Sequence, residues 1–158
     1  MERIYYTLLK KYGYQNWWPI YDGKEPFIEI SVGAILTQNT SWKNVEKAIL
    51  NLKRENLLTK EALKNVDERK LQKLIKPAGF YTRKSKTIKL FVEKIDTEEE
   101  IDREFLLSIK GIGKETADSI LLYGLDKPFF VVDAYTIRIF SRLGLIDSSL
   151  KYDEIQKI

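Results

Sequence analysis

Two glycines on either side of an isoleucine constrain the fold of this chain more than any other sequence feature. Gly111 and Gly113 flank Ile112, with apolar residues at helical spacing before and after them. Glycine permits backbone angles and close approaches that a side chain blocks, so we expect a tight hairpin between two short helices. The free amides of the second helix would point at the turn and could hold a phosphate. Ordinary helix–helix turns show the same pattern, so the stretch alone leaves both interpretations open.

The remainder of the sequence predicts an all-α fold. Apolar residues recur at helical spacing, and no long stretch alternates with period two. Ser41 is placed to cap the helix that follows it. The predicted helices cover about residues 2–11, 27–37, 42–52, 60–65, 68–75, 82–94, 104–109, 114–123, 134–141 and 151–158. No apolar run approaches the roughly 18 residues of a membrane span, and no secretory signal is visible at the start. We therefore expect no membrane partner.

Composition excludes several classes of chemistry. The sequence contains no cysteine and no histidine, which removes disulfides, thiol nucleophiles, iron–sulfur clusters, histidine metal sites and Ser–His triads. We accordingly expect no cofactor and no metal ligand set. The formal charge is +9 over residues 43–94 and −5 over residues 95–158. A basic middle segment suits a polyanion such as nucleic acid, although a solvated lysine-rich surface would give the same charge.

Several separated blocks, in order, resemble the helix-hairpin-helix DNA glycosylases, the superfamily that includes endonuclease III. Between Phe105 and Leu143 the hairpin, an apolar run and Asp133 follow one another at that superfamily's spacing. The chain is further similar to one subgroup, the bacterial 3-methyladenine DNA glycosylases built on the endonuclease III plan. The blocks that carry this second resemblance are Trp17-Trp18-Pro19, residues 33–40, residues 77–81 and residues 110–115.

The resemblance implies two helical lobes with a cleft between them. Residues 1–25 would supply an N-terminal helix and an aromatic loop to the second lobe and the pocket. Residues 26–132 would form the helical-barrel lobe with the hairpin at 105–123, and residues 133–158 the helix after Asp133 and the start of the C-terminal part. Family members continue for several helices past the point matching Ile158, so we expect the second lobe to be incomplete. Another segment, or self-association through the apolar face of the first helix, would then supply the missing surface.

The resemblance also implies that Asp133 is the catalytic carboxylate. Breaking a glycosidic bond builds positive charge on the sugar, which a nearby anion stabilises, and the same carboxylate could orient the attacking water. An aspartate just before a helix is also a common N-cap, and one residue can do both. Glycosylases that also nick the strand place a lysine amine where this chain has Glu115. We therefore predict a monofunctional enzyme that uses water, and we assign Glu115 no role.

The base pocket is predicted to be aromatic. The resemblance implies that Trp17, Trp18 and Pro19 stack on the base and that Trp42 lines the pocket. Aromatic faces attract cations, and a methylated adenine is a cation. Packing in the core is the usual alternative for tryptophan.

The DNA contacts are predicted at the hairpin and at the end of one helix. Gly111, Ile112, Gly113 and Lys114 would hold the DNA backbone, with a monovalent cation at the hairpin left open. Gln38 would fill the gap left by a flipped nucleotide, since base extraction must replace the lost stacking. A plain polar residue at a helix end is the equal alternative for Gln38.

The predicted function is hydrolytic removal of alkylated purines, of the 3-methyladenine type, from damaged double-stranded DNA in base excision repair. Three alternatives remain at this point: a glycosylase of the same fold for uracil or oxidised bases, a non-catalytic DNA-binding module, and a helical scaffold without nucleic acid. We expect a cytoplasmic, nucleoid-associated protein of a bacterium or an archaeon.

Overall fold

The computed structural model describes residues 2–158 and contains ten α-helices and no β-strand over that range. They are α1 (Glu2–Tyr12), α2 (Pro26–Thr37), α3 (Trp42–Arg54), α4 (Lys60–Asn65), α5 (Glu68–Ile75), α6 (Tyr81–Lys94), α7 (Arg103–Ser108), α8 (Lys114–Ser119), α9 (Ala134–Arg142) and α10 (Tyr152–Gln156). A 3-10 turn (Lys76–Ala78) follows α5, and a π-helical turn (Ile120–Gly124) extends α8. The predicted all-α fold is confirmed.

Helix α2 lies at the centre of the larger lobe. Its residues from Ile28 to Leu36 are all buried, as expected of a helix whose only polar residues over that stretch are Glu29 and Ser31. Helices α3, α6 and α8 pack around it. Leu52 of α3 and Phe91 of α6 are fully buried in the same core. This arrangement leaves the C-terminal end of α2 beside the hairpin that joins α7 and α8.

Side-chain caps stabilise the starts of several helices. Thr59, Asp67, Asp102 and Asp133 precede α4, α5, α7 and α9, and each accepts a hydrogen bond from the amide three residues later. Such a cap contributes about 1 kcal/mol. Ser41 occupies the expected position before α3, but its side chain makes no capping hydrogen bond.

A second, smaller apolar cluster belongs to α9, α10 and the segments beside them. Val132, Ile146 and Ile155 are buried there. Helix α1, by contrast, has no buried residue among those described and leaves Tyr6 and Leu8 exposed. Over residues 2–158, the structure has no helix of the length and apolar character needed to cross a membrane.

Candidate active site

A cavity of about 520 Å³ lies between the two apolar clusters, within the usual range for a small-molecule pocket. Segments far apart in sequence form its walls. The lining residues are Trp17, Trp18, Ala34, Thr37, Gln38, Asn39, Gly113, Lys114, Glu115, Thr116, Ser119, Tyr123, Val131, Asp133 and Tyr152. The cavity therefore brings together the aromatic loop, the end of α2, the hairpin and the start of α9.

Trp17 and Trp18 form one wall of the cavity. The ring of Trp42 stands edge-on behind them, with its centroid 5.0 Å from that of Trp17 and 5.3 Å from that of Trp18. Trp18 is half-buried and lies over Gly33, where an added Cβ would come within 3.2 Å of the indole. Trp17 keeps 48% of its surface exposed. Trp42 and Pro19 are not among the lining residues. Trp42 packs against the hydrophobic core and supports the wall from that side.

A buried carboxylate holds the loop that carries these tryptophans. Glu29 of α2 is only 2% exposed and accepts hydrogen bonds from the backbone amides of Tyr21, Asp22 (3.0 Å) and Gly23 (3.1 Å). Several charge-assisted bonds of this kind offset the cost of burying the charge. The sequence reasoning did not single out Glu29, although an acidic residue inside an otherwise apolar helix was a signal for it.

Asp133 both caps a helix and faces the cavity. Its Oδ1 accepts a hydrogen bond of 2.7 Å from the amide of Thr136, while Oδ2 accepts none from residues 2–158. Just before it, the amide of Val132 donates to the hydroxyl oxygen of Tyr152 at 3.2 Å, which restrains the segment that carries the carboxylate. The two interpretations of Asp133 as a cap and as a cleft carboxylate are therefore compatible.

Glu115 lies in the same cavity as Asp133. Burial against the cavity walls raises the pKa of Glu115, and the negative charge of Asp133 raises it further. Burial likewise raises the pKa of Tyr123, with a further contribution from Asp133. Lys114, the adjacent cation, forms an ion pair with Asp153. The cavity therefore combines aromatic faces with two carboxyl groups, an arrangement that favours a positively charged occupant.

The hairpin uses its two glycines differently. Gly111 has a φ of +98°, and an added Cβ would lie 2.1 Å from Oγ1 of Thr87, so both backbone and packing require glycine there. Ile112 is 6% exposed and packs into the core. Gly113 has an ordinary φ of −97°, and an added Cβ would meet nothing within 4 Å. Its missing side chain thus leaves open space on the cavity side of α8.

Gln38 connects the end of α2 to the hairpin. Its Nε2 donates to the carbonyl of Gly111 at 2.9 Å and to the hydroxyl of Thr116 at 3.1 Å. These two bonds tie the side chain of Gln38 to the hairpin. It sits at the cavity wall and is held there by the hairpin.

Two buried charged residues near the site were missed in the sequence. Lys84 is 1% exposed and Asp118 is fully buried. Asp118 accepts hydrogen bonds from Arg103 at 2.7 Å and 3.2 Å, and from Tyr152 and Gln156 at 2.8 Å each. Charged residues on helices are usually exposed to solvent, so neither Lys84 nor Asp118 was predicted to be buried. Both residues share a helix face with buried apolar residues, and this spacing was the signal that could have indicated their burial.

Comparison with known proteins places the chain in a family. Residues 32–158 match the model of the HhH-GPD superfamily base excision DNA repair protein. A candidate DNA repair glycosylase of Methanocaldococcus jannaschii is 57% identical over 169 aligned positions, which cover 99% of this chain and 75% of the relative. Endonuclease III of Thermotoga maritima is 33% identical, and the match covers 77% of this chain but 58% of that protein.

Solved structures of DNA glycosylases share the fold of this chain. The fold matches that of the H. pylori 3-methyladenine DNA glycosylase MagIII, determined with 1,N6-ethenoadenine, with a TM-score of 0.84 and 32% identity over 99% of this chain and 76% of that one. An endonuclease III–DNA covalent intermediate matches with a TM-score of 0.82 at 22% identity, covering 99% of this chain and 75% of that one, which supports the fold alone. The chain therefore belongs to the HhH-GPD superfamily of base excision DNA repair proteins, and within it to the DNA glycosylases.

Proposed function

We propose that this protein is a monofunctional DNA glycosylase that hydrolyses the N-glycosidic bond of alkylated purines of the 3-methyladenine type in double-stranded DNA. The observation that carries the proposal is the composition of the cavity. Trp17 and Trp18 line one wall, and Asp133 and Glu115 lie on the others. Aromatic faces and carboxylates both attract a cation.

The positive charge of the base makes it a good leaving group. A purine nucleotide methylated at N3 or N7 carries a positive charge on the base that disappears when the glycosidic bond breaks, so that leaving base needs little acid catalysis. That matches a cavity without histidine. The H. pylori enzyme that shares this fold at 32% identity was determined with a modified adenine bound, which supports a modified purine as the substrate class.

Asp133 is the proposed group that stabilises charge on the sugar. As the bond breaks, positive charge develops on the sugar, and a fixed anion beside it lowers the barrier. Because Oδ1 is engaged by the amide of Thr136, Oδ2 is the oxygen that faces the sugar or orients the water.

Water rather than an amine is the proposed nucleophile. Glu115 occupies the position at which strand-nicking glycosylases carry a lysine, and a carboxylate cannot form a Schiff base. Lys114 is displaced from Glu115 by about 100° around the helix, and its ammonium pairs with Asp153. The proposed contacts to the DNA backbone come from Gly113 and Lys114 at the hairpin, with Gln38 beside the extruded nucleotide.

The test is a base-release assay on five duplexes that carry 3-methyladenine, 7-methylguanine, 1,N6-ethenoadenine, uracil or 8-oxoguanine. Released base and strand nicking are measured separately, with borohydride added in a parallel reaction. We expect release of the alkylated purines, no nicking and no trapped adduct. Release of uracil or 8-oxoguanine alone would contradict the substrate assignment, and an adduct on any lysine would contradict the monofunctional mechanism. DNA binding without any release would indicate a binding module.

A further inference from the structure

A lysine buried behind the cavity joins two loops of the larger lobe. Lys84 of α6 is 1% exposed. Its Nζ donates to the backbone carbonyls of Leu36, Gln38 and Ala78, each at 2.8 Å. An ammonium group has three donors, and all three are used here. The charge also lies at the C-terminal end of α2, where unpaired carbonyls and the helix dipole favour a cation.

The two loops that Lys84 joins both lead to residues at the surface. One ends α2 and carries Gln38, whose side chain holds the hairpin. The other is the 3-10 turn that leads to Phe80, which is 59% exposed with a φ of +45°. A left-handed backbone at a bulky residue is uncommon and persists where the surroundings impose it.

Burial of this charge has a cost. Desolvation lowers the pKa of Lys84 to about 8. Since an apolar side chain would fill the same space without that cost, packing alone does not account for an ammonium group here. What the ammonium adds is a fixed distance between the carbonyls of two separate loops.

We propose that Lys84 is a positioning residue for base extrusion, which holds the end of α2 and the 76–80 turn in the one relative arrangement that lets Gln38 replace an extruded nucleotide. The proposal rests on the proposed glycosylase function, since extrusion matters only for a base that leaves the duplex. Lys84 acts through the two loops and touches neither the base nor the sugar.

The chain offers a matched control on the same helix. Lys89 also donates to two backbone carbonyls, those of Lys64 and Val66 at the end of α4. These carbonyls lie outside the cavity lining. The variants Lys84→Met and Lys89→Met therefore each remove an ammonium that ties α6 to a helix end, but only the first removes one beside the cleft.

The experiment measures extrusion and affinity without requiring catalysis. The first duplex carries 2-aminopurine as the target base, and the fluorescence of this base rises when it unstacks. The second duplex also has an abasic analogue opposite the 2-aminopurine, which lowers the cost of extrusion. We expect Lys84→Met to reduce the fluorescence rise about tenfold on the paired duplex, the order expected for losing charged hydrogen bonds. On the second duplex we expect a much smaller reduction, with affinity preserved. Lys89→Met should behave as the unmodified chain on both.

Three results would overturn the proposal: an equal reduction on both duplexes, the same reduction for Lys89→Met, or no rise in fluorescence for the unmodified chain bound to DNA. If Lys84→Met does not fold, Lys84→Gln, which keeps two donors without the charge, is measured in its place with the same expected pattern. An extrusion signal that depends on Lys84 in a protein that releases none of the five bases would refute the proposed function and leave this inference standing.

Discussion

Asp133 meets two demands with one side chain, because its two oxygens face different partners. Replacement by Asn keeps the size and an oxygen that can accept from the amide of Thr136, but removes the charge. We predict that Asp133→Asn lowers single-turnover base release by about 100-fold or more, the scale of losing a group that stabilises transition-state charge. Filter binding should show DNA affinity within about twofold of the parent, because no DNA contact is assigned to this carboxylate.

The matched control is Asp102→Asn. Asp102 caps α7 in the same way, through a 2.7 Å bond to the amide of Phe105, but it lies outside the cavity lining. That variant should release base normally. Near-normal release by Asp133→Asn would end the catalytic assignment and leave Asp133 as a cap.

The raised pKa of Glu115 should make its effect on thermal stability depend on pH. Burial, and then the charge of Asp133, raises its pKa in the folded protein, so its ionised form is less favourable there than in the unfolded chain. A raised folded pKa contributes stability below the unfolded value, and that contribution is lost as pH rises through the folded value. We therefore predict that Glu115→Gln has a higher Tm than the parent at pH 7 and about the same Tm near pH 4.

Thermal denaturation across that range checks this prediction. Glu104→Gln, on the exposed surface of α7, is the control and should shift Tm equally little at both pH values. A Tm gain for Glu115→Gln that is independent of pH would show that the raised pKa does not govern its effect.

At the scale of elements, the two glycines of the hairpin have different roles: Gly111 is needed for folding, and Gly113 is proposed to contact DNA. Gly113→Val adds a side chain where an added Cβ meets no neighbour within 4 Å, at a φ of −97° that valine adopts readily. We predict a folded protein that binds every DNA duplex about tenfold more weakly. The slope of log affinity against log salt should also become shallower, because a displaced phosphate no longer lies beside the cation of Lys114.

Gly111→Ala is the contrasting variant. Its φ of +98° and the 2.1 Å approach to Thr87 predict strain, which costs about 1–3 kcal/mol in unfolding free energy. Chemical denaturation measures the loss of stability in Gly111→Ala. Titration with DNA at several salt concentrations measures the loss of affinity in Gly113→Val. An unchanged affinity and salt slope in folded Gly113→Val would show that no phosphate approaches the hairpin there.

At the scale of the whole molecule, Asp118 ties the hairpin to the C-terminal helices. It pairs with Arg103 of α7 and accepts from Tyr152 of α10, whose hydroxyl oxygen in turn accepts from the amide of Val132 beside Asp133. We predict that Asp118→Ala lowers the free energy of unfolding by about 3–5 kcal/mol, as expected when one partner of a buried ion pair is removed. Base release should fall with it, because Asp133 loses its restraint.

Asp153→Ala is the control for that prediction. Asp153 also pairs with Arg103, at 3.2 Å, but is 42% exposed, so its loss should lower the free energy of unfolding far less than the loss of Asp118. Equal costs for the two variants would show that the Asp118 cluster does not join the two parts of the molecule. Self-association through α1 stays a prediction, with Tyr5, Tyr6 and Leu8 exposed on that helix.

The sequence by itself determined the features that depend on near neighbours. Helix positions follow from apolar spacing and from the cap at Asp133, and the turn follows from Gly111. The family resemblance drew on the same local blocks and led to the correct superfamily. All of these signals act over a few residues, which is why they can be read without a structure.

The tertiary structure alone decided which side chains share the cavity and what holds them. Gln38 meets Gly111 across 73 positions, and Lys84 meets Leu36 across 48. Trp42 stands behind the aromatic wall rather than in it. The spacing of residues along a helix encodes which face is apolar, but the partner of a buried charge is set by how distant helices pack, and that information is not local.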